Sequence, residues 1–158
     1  EERNKNPYRS FSANNVCIER ELFFKHQFDE QIKTYGHEDT LLGHRLKKDG
    51  ISILHINNPL IHIGLEPALD FIEKTNTGLE NLILLVNSQT ELKELAEEVK
   101  VLHYFFVIKR LGLVPLFSKL FSKFQKRLLK NLTGEDPSLF YFDLYKLGYL
   151  CSRAKDLQ

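Results

Sequence analysis

From about Ala68 onward every segment of the chain reads as helix, so whatever sheet it forms must come from its first third. Breaks between helices are expected near Gly78, Asn87 to Thr90, Gly112 to Pro115 and Gly134 to Pro137, where glycine, proline and small polar residues interrupt the apolar pattern. The front is different in texture. Residues 1 to 9 are polar and include Pro7, an extended lead-in; "SFSANNVCIE" alternates as one or two short strands would, and "RELFFKHQF" makes a short helical turn. Glu38 to Lys48 carries Leu41, Leu42 and Leu46 at helical spacing, and Gly50 stands where a helix stop belongs. "ISILHI" reads as a β-branched strand that "NNPLIHIG" continues past Pro59, a residue confined to edges or bends. The expected fold class is α+β with helix predominating, in two regions, 1–66 and 67–158.

Composition places the chain among soluble globular proteins, since 42% of its 158 residues are hydrophobic and 27% charged. That length suits one domain, or a domain with a helical appendage. The net charge of +1 names no partner, but its distribution is uneven: Val99 to Gly134 holds eight Lys or Arg and no acid. Cys17 and Cys151 fit no metal-binding spacing, and a reducing compartment is the simplest reading. The chain opens Glu1-Glu2-Arg3-Asn4 and contains no methionine, the expectation for a piece of something longer.

The stretch "TYGHEDTLLGHRLKKDG" concentrates the polar chemistry. A zinc protease would set two histidines one turn apart; His37 and His44 are seven apart and Leu41 takes the place of the second ligand, so that motif is absent. Glu38 and Asp39 remain, after the flexible Gly36. Acids are favoured in any first helical turn by free N–H groups and the macrodipole, and that alone accounts for the pair locally. Neighbours on a helix point about 100° apart, so the two carboxylates suit two jobs, one facing a substrate and one capping the helix or pairing with Arg45. His62, between Ile61 and Ile63, reads locally as a half-buried strand residue, and Asn14-Asn15 as a turn closed by side-chain hydrogen bonds.

In combination and order these pieces resemble a family. "FSANNVCIERELFFKHQFDE", "YGHEDTLLGHRLKKDG" and "NPLIHIG", over about residues 10 to 66, look like the acceptor-side half of bacterial family 2 glycosyltransferases with the GT-A fold, inverting enzymes that use nucleotide-sugar donors. The resemblance implies the C-terminal fragment of a GT-A α/β domain with few strands, followed by a helical region. It implies Asp39 as the catalytic base that takes the proton of the acceptor hydroxyl, with Glu38 beside it to bind acceptor hydroxyls or fix the loop. Asn15, Gly36 and His37 fall where acceptor is bound. His62 matches a histidine that, in many members, joins an Asp-x-Asp pair in holding a divalent metal, manganese or magnesium, which stabilises the leaving diphosphate.

The departures are large. No Asp-x-Asp occurs in the chain, and the doubly wound nucleotide-binding half of the fold has no counterpart. The expectation is therefore a fragment, inactive and without metal by itself, whose parent binds a nucleotide-sugar donor and a cell-surface glycan or lipid-linked acceptor. The Gln-x-x-Arg-Trp element of processive members is missing too, which points to addition of single sugars. Strand edges left bare by the missing half would be covered by the helices or by a second copy, making a homo-oligomer.

In "LVPLFSKLFSKFQKRLLKNL", Leu116, Leu120, Phe124 and Leu128 share a face with Phe117 and Phe121 beside it, opposite Lys119, Lys123, Lys126 and Lys130. Such a basic amphipathic helix over 113–131 either lies on an anionic membrane surface or packs its stripe on the domain. Nucleic acid is not an expected partner, because the aromatics sit on the apolar stripe and do not interleave with the lysines as base-stacking platforms would. "VLHYFFVI" is too short to span a bilayer. The location implied is cytoplasmic, peripheral at the inner face of the membrane. The alternative to an enzyme fragment is a non-catalytic helical module that binds a membrane or a partner helix.

Overall fold

A computed structural model describes residues 2–9, 11–28, 36–61, 63–88 and 99–153. The chain divides into two compact units, Glu1–Leu65 and Glu66–Gln158.

The first unit is organised by two helices, α1 (Arg20–Lys25) and α2 (Glu38–Lys48), and two 3₁₀ turns, Glu2–Lys5 and Ala13–Asn15. Helix α2 buries Leu41, Leu42, His44 and Leu46. It ends in the hydrogen-bond pattern that a left-handed glycine permits: Gly50, with φ of 68°, donates to Lys47 O, and Ile51 donates to Leu46 O at 2.9 Å. The lead-in crosses α2 closely at Gly43, where a Cβ would lie 3.1 Å from both Phe11 Cβ and Tyr8 O and would press the lead-in back by a few tenths of an ångström.

The α+β expectation is overturned, because among the described residues all regular structure is helical and there is no strand. Residues 51–56 are extended, with Ile51, Ile53 and His55 half-buried and Ser52, Leu54 and Ile56 exposed, the alternation of a strand. What they lack, among the described residues, is a partner strand. Asn4 Nδ2 donates to His55 O at 2.9 Å while His55 N–H donates to Asn4 Oδ1 at 2.7 Å, so one side-chain amide replaces a rung of a β-ladder. Tyr8 Oη donates to Ile51 O, and a His55 ring nitrogen meets Pro7 O at 2.8 Å. In "SFSANN" the turn chemistry wins over the alternation: Ser12 Oγ accepts from Asn14 N–H and the backbone coils into the 3₁₀ turn. Among the described residues, the strand edges that the helices or a second copy would cover are therefore not formed.

The second unit contains α3 (Ala68–Ser88), α4 (Lys100–Arg110), α5 (Val114–Leu132) and α6 (Leu139–Ser152). Gly78, expected as a break, lies buried inside α3, where an isolated glycine is tolerated. Gly112 does end a helix: with φ of 70° it donates to Lys109 O, and Leu113 donates to Ile108 O. Pro115 follows in the first turn of α5, where its missing N–H costs nothing. The turn into α6 is braced by Asn131, whose Oδ1 accepts from Ser138 N–H at 3.0 Å.

Two apolar clusters hold this unit. Leu79, Leu82, Ile83 and Val86 of α3 meet Leu102, Phe105 and Ile108 of α4 and Leu150 and Cys151 of α6. Ile72, Phe121, Leu132 and Tyr145 form the second. Burial pushes the Cys151 thiol up to about 11, the state of an inert packed thiol. Polar links run along the rim. The ammonium groups of Lys146 and then Lys100 hold the Asp143 carboxyl below its usual range, at 2.7 and 2.9 Å. Tyr149 Oη donates to Glu80 Oε1 at 2.6 Å; desolvation first, and that bond second, raise the phenol. Among the described residues no helix is long and apolar enough to cross a membrane.

Candidate functional site

The site begins at the start of α2. Gly36 has φ of 119° and His37, the N-cap, φ of 71°, so two successive residues take backbone conformations with positive φ. For histidine that region is uncommon, and such residues persist where their surroundings over-determine them. Here His37 O accepts from Leu41 N–H at 2.9 Å, and Glu38 reaches back so that its Oε2 accepts from Gly36 N–H at 2.9 Å. Glu38 thus fixes the loop into which Gly36 and His37 bend. Of the two jobs open to it from sequence, this is the structural one.

Asp39, one residue on, points elsewhere. Its Oδ2 accepts from Ala13 N–H at 3.0 Å, across 26 residues of sequence, in a half-buried setting. That bond ties the Ala13–Asn15 turn to the first turn of α2. Asn15 then makes the next link: its Nδ2 donates to Asn58 O at 2.9 Å, 43 residues away, in the segment that leads into "PLIHI". Three stretches far apart in sequence are joined by two bonds, one from an expected base and one from an expected acceptor residue.

A cleft of about 1030 Å³ opens beside this junction, lined by Ser12, Asn14, Asn15, Val16 and Cys17 on one side and by residues 51–56 and 58–61 on the other. Its size is that of a pocket for a sizeable organic ligand. Its walls mix amide and hydroxyl groups with the charged side chains of Arg3 and Glu19 and the aliphatic side chains of Ile53, Leu54 and Ile61. Asn15 lines the cleft; Gly36, His37, Glu38 and Asp39 are not among its lining residues. Asp39 is one hydrogen bond away, behind Ala13.

His62 lies outside the described residues, as do Asp29 and Glu30 of the Phe-Asp-Glu element. Among the described residues no group of three His, Cys, Asp or Glu is placed to hold a metal ion. The manganese or magnesium expected of the complete parent is assigned to an Asp-x-Asp pair that this sequence lacks and to His62, which is not among the described residues. Asn4, Tyr8 and Pro7, which in sequence are only a polar lead-in, bond to residues 51 and 55 of the segment that forms one wall of the cleft. The Asn4–His55 pairing spans 51 residues and leaves no local pattern by which it could be found. Comparison with protein-family models, with curated proteins and with solved structures finds no match.

Proposed function

We propose that the first unit is the acceptor side of an inverting glycosyltransferase that uses a nucleotide-sugar donor, with Asp39 as its general base. The observation that carries this reading is the joining of the Ala13–Asn15 turn, the Glu38–Asp39 helix start and Asn58 by the Asp39 and Asn15 hydrogen bonds. Those are the three stretches whose order in sequence resembles the family. In this reading Ala13 N–H holds Asp39 Oδ2 and orients the carboxylate, leaving Oδ1 to take the proton of an acceptor hydroxyl as its oxygen attacks the anomeric carbon. The nucleotide leaves from the opposite face of the sugar. Glu38 keeps Gly36 and His37 in their strained turn, and Asn15 links the turn that Asp39 holds to Asn58.

Neutralising the departing diphosphate would fall to a donor-side unit with its own Asp-x-Asp and metal. The acceptor class is a cell-surface glycan or a lipid-linked sugar. The test is a transfer assay on the complete gene product with a panel of nucleotide sugars. Turnover that Asp39→Asn lowers by about 10²–10⁴-fold supports a general base. A gene product with no Asp-x-Asp unit, or one indifferent to that substitution, removes the proposal.

One observation favours a second reading. The Asp39–Ala13 bond is also what a purely structural brace would make, as in a non-catalytic interaction module. Asparagine separates the two, because its Oδ1 can still accept from Ala13 N–H but cannot act as a base.

A further inference from the structure

Helix α5 carries three bands of side chains, set by its 100° step. Phe121 and Leu132 are buried, and Phe117 and Leu128 pack beside them against the two cores. Next round the helix come Leu116, Leu120 and Phe124, which keep 50%, 42% and 41% of their surface in solvent. Then come Lys119, Lys123, Lys126 and Lys130, while Arg127 lies on the bearing of Leu116 and Leu120 and lines the groove between α5 and α6; all five are exposed. The packing that forms the core has used only half of the apolar stripe.

The uncovered half is not a set of scattered residues. Leu120 and Phe124 line one wall of a groove of about 360 Å³ whose other wall is Tyr141 and Leu144 of α6, with Phe121 and Leu128 among the residues that line it. Phe140, on α6, is 66% exposed. From Leu116 to Phe124 the strip runs two turns, about 12 Å. Its charged border has one sign, since residues 99–134 contain no acid. Asp143, the acid of α6, is engaged by Lys100 and Lys146. Lys123 Nζ sits 5.6 Å over the Phe124 ring, so the apolar and cationic groups meet at one edge.

We propose that this α5–α6 face seats the helical unit on a bilayer surface containing anionic lipid. Leu116, Leu120 and Phe124 enter the boundary between headgroups and acyl chains, while Lys119, Lys123, Lys126, Arg127 and Lys130 reach lipid phosphates with their long stems. Charge decides between this occupant and a second copy of the chain: pairing two such faces brings five cations against five, a repulsion that a bilayer of negative lipid turns into attraction. The surface belongs to the second unit and does not depend on the transferase reading.

The test is flotation of the 158-residue chain with vesicles of mixed phosphatidylglycerol and phosphatidylcholine, and with vesicles of phosphatidylcholine alone. The chain floats with the first and stays at the bottom with the second. Each Lys→Gln change at 119, 123 or 126 lowers the vesicle-bound ratio about fivefold, the effect of one surface cation near an anionic leaflet. L120S/F124S lowers it more than tenfold while far-ultraviolet circular dichroism stays that of the parent. Should that variant lose helicity, the solvent-facing K119Q/K123Q/K126Q variant carries the decision. A chain that stays unbound with anionic vesicles, or floats equally with both compositions, overturns the proposal. So does a dimer in sedimentation equilibrium that L120S/F124S dissociates without any vesicle binding.

Discussion

Gly148→Ala tests the packing of α5 on α6 at its tightest point. A Cβ at Gly148 would stand 2.4 Å from Phe121 Cδ2, 2.8 Å from Cγ and 2.9 Å from Cβ, where ordinary contact begins at 3.4 Å. The Phe121 ring has little freedom to turn aside, because Tyr145 and Tyr149 meet it edge-on at 5.4 and 6.4 Å between centroids. Its Cβ is fixed to the backbone, so the two helices must separate locally by up to about 1 Å. Overpacking of this kind costs about 2–3 kcal/mol. Replacing a glycine in mid-helix returns about 1 kcal/mol of propensity. The balance is a loss of about 1–2 kcal/mol, or a urea midpoint lower by about 1 M at an m-value near 1.5 kcal/mol/M. The chain has no tryptophan, so the transition is followed in the near-ultraviolet dichroism of its tyrosines, Tyr145 and Tyr149 among them. In a Phe121→Ala background the ring atoms are gone and the cost of Gly148→Ala shrinks, a coupling of about 1–2 kcal/mol. A Gly148→Ala protein as stable as its parent, or more so, would mean that Phe121 does not occupy the notch at Gly148.

Asn4→Ala removes both hydrogen bonds that stand in for a β-ladder at His55, and at this exposed site it is expected to cost about 1 kcal/mol and to speed amide exchange at His55 by several-fold. Unchanged exchange at His55 would show that residues 51–56 hold their course without the lead-in. Asp143 has a folded-state pKa below its unfolded one, so its contribution is present at neutral pH and is lost as pH falls through the unfolded and then the folded value, below about 4. Both lysine partners and the carboxylate are partly exposed, which limits that contribution to under about 1 kcal/mol. Asp143→Asn is accordingly expected to flatten the acid limb of a stability-against-pH curve and leave its shape above pH 6 alone. An unaltered acid limb would count against the pairing with Lys100 and Lys146.

The parts of the fold that were legible in sequence are those decided locally. The start of α2 at Glu38 and its stop at Gly50 follow from acids in a first turn and a left-handed glycine after the last, and Gly112 acts in the same way after α4. Strand formation is not local. Residues 51–56 have the composition and alternation of a strand, but a strand exists only against another, and from the lead-in it is the side chains of Asn4 and Tyr8 that meet their backbone. The apolar stripe of α5 was legible as a stripe, while its division into a packed half at Phe121 and an open half at Leu120 depends on where α6 lies. At the candidate site, Glu38, Asp39 and Asn15 were singled out from the order of motifs. That Glu38 closes the loop through Gly36 and that Asp39 reaches Ala13 is decided by tertiary structure, since adjacent carboxylates in a first turn have several equally favourable partners.

Comparing Asp39→Asn with Asp39→Ala in the complete gene product, with urea stability and sugar transfer read on the same samples, separates a base from a brace. The asparagine keeps an acceptor for Ala13 N–H, so the account predicts a midpoint unchanged for Asp39→Asn and lowered for Asp39→Ala, with transfer down by about 10²–10⁴-fold in both. Transfer at the parent rate in Asp39→Asn, with loss only where Asp39→Ala also destabilises the fold, would make Asp39 a brace and not a base.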